Sequence, residues 1–76
     1  MTPELLDVVL RGFSRRRPFR HFLIEFLSGG EVQISHPEAV RREDDLYVVR
    51  TPDFRVQVFV APAVSRVLDV SIAGTN

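Results

Sequence analysis

Leu5, Leu6, Val9, Leu10 and Phe13 recur at the three- and four-residue spacing of one helical face, whereas from Phe22 onward apolar and polar positions alternate in pairs. The first pattern predicts a single amphipathic helix over about residues 3–13. Thr2 supplies an N-cap, Pro3 suits the first helical position, and Glu4 sits at the positive end of the dipole. Gly12 marks the stop, and Pro18 bars continuation because it disfavours helical backbone at Arg17. The second pattern predicts strands over about 20–28, 31–43, 46–51, 54–60 and 66–72. Ser28-Gly29-Gly30 and Asp44-Asp45 read as tight turns, as does Thr51-Pro52-Asp53. His36-Pro37 bends the long second strand, since proline cannot donate to the ladder. Ala61-Pro62-Ala63-Val64 reads as one short helical turn, and Phe59 and Val67 fall on faces expected to be polar.

One helix followed by about five short antiparallel strands predicts a mainly β domain, residues 1–76, closed or nearly closed as a small barrel of the Sm-like or SH3-like kind. The order resembles the Sm-like fold, and within it the bacterial Hfq branch. The matching parts are the helix Pro3 to Phe13, the basic run Arg15-Arg16-Arg17, the strand His21 to Ser28 and the bent strand Glu31 to Glu43. Tyr47 to Val60, the turn Ala61 to Ser65 and Val67-Leu68-Asp69-Val70 complete the set. The resemblance implies a ring-forming homo-oligomer and RNA contact through an arginine-rich rim. Two signatures depart from it. Arg41-Arg42-Glu43-Asp44-Asp45 stands where the Sm loop has an Asp-x-apolar-Asn pattern, and Phe59-Val60-Ala61 replaces the Tyr-Lys-His run that contacts uridine. Arg17-Pro18-Phe19 and Ser35-His36-Pro37-Glu38 also resemble a pattern of small bacterial proteins of unknown function.

Size and composition narrow the class. Seventy-six residues make one small domain that buries only about 60% of its unfolded surface. Without cysteine there is neither a disulfide framework nor a thiolate metal site, so stability rests on the apolar core and on self-association. No basic leader followed by an apolar run and no membrane-length apolar segment is visible, which places the expected location in the cytoplasm with no membrane partner. Ten arginines balance ten acids, so the global field is weak. Locally it is not: no acid falls between Asp7 and Glu25, where Arg11, Arg15, Arg16, Arg17 and Arg20 lie.

Arg15, Arg16, Arg17 and Arg20 are the candidate nucleic-acid site. They suit the negative end of the helix dipole without any ligand. As phosphate contacts, with Phe19 and Phe22 between them to stack on bases, they point to single-stranded RNA. Val56, Val58, Phe59, Val67, Leu68 and Val70 are the candidate oligomer interface, on two strands that carry apolar residues on both faces. Other chemistry is thin. His36 and Glu38 flank a proline that already explains the bend, and Glu43-Asp44-Asp45 cannot all converge on one cation from a short hairpin. The serines have no base at a recognisable spacing, and Ser28-Gly29-Gly30 lacks the helix of a phosphate loop. The sequence therefore predicts a non-enzymatic, cofactor-free binding protein that self-associates and contacts RNA. A protein–protein assembly module is the alternative, and a small hydrolase or metal protein centred on His36 is a third, weaker one.

Overall fold

The computed structural model describes residues 1–70, in the order helix, six strands and one 3-10 turn between the last two strands. Helix α1, Pro3–Ser14, begins where Thr2 accepts a hydrogen bond from the Leu5 N–H at 3.1 Å. It ends at Arg15, whose N–H donates to the Arg11 carbonyl at 3.1 Å. Leu6 and Leu10 are buried and Phe13 packs on the core, but Leu5 is exposed and drops out of the expected stripe.

The strands are β1 (Phe22–Phe26), β2 (Glu31–Ile34), β3 (Val40–Glu43), β4 (Leu46–Arg50), β5 (Val56–Val60) and β6 (Val64–Asp69). They form two three-stranded antiparallel sheets, ordered β2-β1-β6 and β3-β4-β5. This corrects the expectation of five strands in one closed barrel. The long strand expected over 31–43 is divided because the chain bends at 35–39 around Pro37, with the Ala39 N–H turned back to the His36 carbonyl at 3.1 Å. The expected residues 71–72 of the last strand lie outside the described residues, and that strand starts two residues earlier than predicted, at Val64. The β1–β2 turn is closed by a bond of 2.8 Å from the Phe26 N–H to the Gly30 carbonyl. Gly29 sits at φ 98°, where a side chain would be strained.

The core lies between the two inner faces and the helix. β1 contributes Phe22 and Ile24, paired with Ile34 and Val32 of β2, and Ile24 is paired with Val67 of β6. β4 contributes Tyr47 and Val49, paired with Phe59 and Gln57 of β5. Phe59 joins the sheets: it stacks on Tyr47 at 5.4 Å between centroids and meets Phe26 of β1 edge-on at 5.1 Å. The facing of β5 is thus the reverse of the expected one. Phe59 turns inward and Val56, Val58 and Val60 turn outward.

The helix is tied to the second sheet by a polar group. The Tyr47 hydroxyl donates to Asp7 at 2.7 Å and lies 3.3 Å from the Pro3 carbonyl, and Arg42 of β3 pairs with the same carboxylate while its guanidinium lies over the Tyr47 ring. Burial, then the Asp7 hydrogen bond and charge, push the Tyr47 hydroxyl up to about 12. A folded value above the ordinary one of about 10 means that this stabilisation is complete below pH 10 and is lost as pH rises through about 12. Tyr47 is the chain's one tyrosine, so tyrosinate absorbance reads it alone. The expected midpoint is near 12 for the folded protein and near 10 in denaturant. A folded midpoint at 10 would show that the Asp7 contact is not made.

Candidate functional site

The four predicted arginines share one loop but not one role. Arg16 is folded inward, with its side chain 21% exposed. It pairs with Asp69 at the end of β6, donates to the Arg20 carbonyl at 3.0 Å, and lies over the Phe13 ring at 4.7 Å. Its Nε is buried and has no hydrogen-bond partner among the described residues. Arg16 therefore fastens the loop after the helix to the last strand. Arg17 turns back on its own loop, donating to the Arg15 and Arg16 carbonyls at 3.3 and 3.2 Å, beside the cis Arg17–Pro18 peptide. Arg15 and Arg20 are exposed. Among the described residues no carboxylate pairs with Arg11, Arg15, Arg17 or Arg20. Arg50 at the end of β4 is unpaired in the same sense, so the end of α1 and the loop after it hold four of the five arginines without a carboxylate partner among the described residues.

Of the two aromatic residues of the expected site, Phe22 belongs to the core. Phe22 is fully buried, 5.0 Å from Phe13, and Phe19 packs on the core with its ring 6.1 Å from that of Phe22. Phe22 presents no face for a base to stack on, and Phe19 is half-buried. His21 engages Gln33 at 3.0 Å on the surface, and His36 and Glu38 are exposed on the bend. In the acidic hairpin, Asp44 takes φ 56° and its carbonyl accepts from Arg42 Nε at 2.8 Å, while Glu43 pairs with Arg41. These are local turn contacts.

The interface residues divide as well. Phe59 belongs to its own chain's core, and Val67, Leu68 and Val70 are half-buried. Val56 and Val58 are exposed, and they are joined by residues that the sequence pattern did not single out. On the outer face of the second sheet Val60 pairs with Leu46 and Val58 with Val48, so the valines of β5 and two residues of β4 make one apolar strip. The three valines are 40 to 64% exposed. A groove of about 450 Å³ runs along the same edge, with Phe26, Leu27, Val58, Phe59 and Ala63 among its walls.

Phe54 extends that strip and is 94% exposed. Its N–H donates to the Thr51 carbonyl at 3.1 Å, the Thr51 N–H donates to the Arg55 carbonyl at 2.9 Å, and φ is 66°. This is the type I turn with a left-handed residue after it, a position that normally takes glycine. A phenylalanine there costs about 1 to 2 kcal/mol of backbone energy, and no packing among the described residues returns it. The Pro-Asp pair signals the turn in the sequence, but the conformation of Phe54 emerges only from the backbone angles. No protein-family model, no curated protein and no solved structure matches this chain.

Proposed function

We propose that the protein is a non-enzymatic assembly module that binds by adding a strand along β5. The observation that supports this reading is the apolar outer strip of β4 and β5, which continues to an open sheet edge and ends in the exposed Phe54. Among the described residues β5 is the one edge strand with no charged residue. β2 carries Glu31, β3 carries Arg41, Arg42 and Glu43, and β6 carries Arg66 and Asp69. Edges left without charge or proline are the ones at which another chain pairs. The strand order also fits an Sm-like small barrel opened between its two sheets, with β6 returning to β1. Light scattering after size exclusion tests the reading: an assembled mass is expected, and a one-chain mass at every concentration overturns it.

A second reading, RNA binding, is favoured by the unpaired Arg11, Arg15, Arg17 and Arg20. Three or four phosphate contacts give an affinity that falls steeply with salt, with a log–log slope of roughly −0.7 per contact. Arg15, Arg17 and Arg20→Ala together are expected to abolish binding of a labelled single strand at low salt. Arg16→Ala is expected to lower stability instead, because Arg16 is held by Asp69 and the Arg20 carbonyl. Binding unchanged by the triple replacement would end this reading.

A further inference from the structure

We propose that the partner added along β5 is a second copy of this chain, with the two β5 strands antiparallel about a twofold axis at Val58. The proposal rests on the assembly reading above and names its partner.

Backbone alternation sets the register. The bonded pair at Thr51 and Arg55 makes Gln57 and Phe59 the residues whose N–H and C=O bond to β4, because bonded pairs recur at every second residue. The backbone groups of Val56 and Val58, and the N–H of Val60, therefore point out from the edge. An axis at Val58 sets Val58 opposite its own copy and Val56 opposite Val60, so these outward groups meet partners in kind.

Side chains agree with the same register. The outer face becomes a row of valine pairs, and the other face sets Gln57 opposite Phe59. No charge opposes a charge along the whole ladder, and β-branched cross-strand pairs stabilise it. Beyond the strand, Arg55 falls opposite Ala61, and Phe54 reaches the exposed Pro62 of the second copy. The positive φ that displays Phe54 is thus matched by a contact for its ring.

The apolar groups beside that edge are Val56, Val58, Val60 and Phe54, which are 40 to 94% exposed in the single chain.

A charge-swap experiment at one position tests the axis. Light scattering is expected to give the wild type the mass of two 8.7 kDa chains. Val58→Lys and Val58→Glu, each retaining the wild-type circular dichroism because Val58 is exposed, are each expected to give one chain. Mixed in equal amounts, they are expected to recover the two-chain mass, because only a twofold axis at residue 58 sets the lysine of one copy against the glutamate of the other. A wild type that assembles, with a mixture that does not, overturns the self-pairing axis and leaves the assembly reading standing. So does a wild-type mass above two chains. A one-chain wild type overturns both. Phe54→Gly supplies a second arm: the dissociation constant of the dimer is expected to rise by about tenfold or more, as for a buried aromatic anchor. In the Val58→Lys monomer the same replacement is expected to raise the melting temperature by relieving the positive φ. Phe54→Gly with unchanged dimer affinity would overturn the anchor contact.

Discussion

Phe22→Ala is expected to remove a quarter or more of the stability of this domain. Phe22 is fully buried on the central strand of the first sheet, with Ile34 paired on one side and Asp69 on the other, and with Phe13 and Phe19 against its ring. Truncating such a ring costs about 3 to 5 kcal/mol, the lost transfer energy plus the cavity left behind. Native stability of about 0.05 to 0.15 kcal/mol per residue gives the whole domain only about 4 to 11 kcal/mol. Urea unfolding followed by circular dichroism should therefore show the midpoint lowered by about a quarter or more, or no folded baseline at all. Leu27→Ala, an exposed truncation, is the control and is expected to stay within about 0.5 kcal/mol. A loss below about 1 kcal/mol at Phe22 would refute the packing described for β1.

The second large effect is expected at Asp7. Its carboxylate accepts from the Tyr47 hydroxyl at 2.7 Å and pairs with Arg42, so one side chain ties the helix to two strands of the second sheet. Asp7→Ala leaves a buried hydroxyl with only the Pro3 carbonyl at 3.3 Å. The expected cost is about 1 to 3 kcal/mol, the desolvation penalty of a buried group left without a good partner. Tyr47→Phe removes the hydroxyl itself, so the double variant should be more stable than the sum of the single losses, by about 0.5 kcal/mol or more. Strict additivity in the four-variant cycle would show that the two residues act independently.

Features with a local cause were legible in the sequence. The Thr2 cap, the break before Pro18, the turn at Gly29 and the 3-10 turn at Ala61–Ala63 all reflect what single residue types do to the backbone. The interruption at Pro37 was visible too, but its extent was not: a bend keeps one strand, whereas five residues outside any strand make two. The arginine cluster was equally visible as a cluster. Its division was hidden, because Asp69, which draws Arg16 inward, lies 53 residues further along the chain.

The sequence by itself determined that a short amphipathic helix precedes a run of antiparallel strands, since period and turn chemistry act over a few residues. Only the tertiary structure decided which face of β5 is inside. Val56, Val58 and Val60 alternate with Gln57 and Phe59, and either set could supply an inner face. Register across the pair settles it: Phe59 lies opposite Tyr47, where it stacks on that ring and meets Phe26 of the other sheet. That choice leaves the valines of β5 exposed beside an uncharged edge.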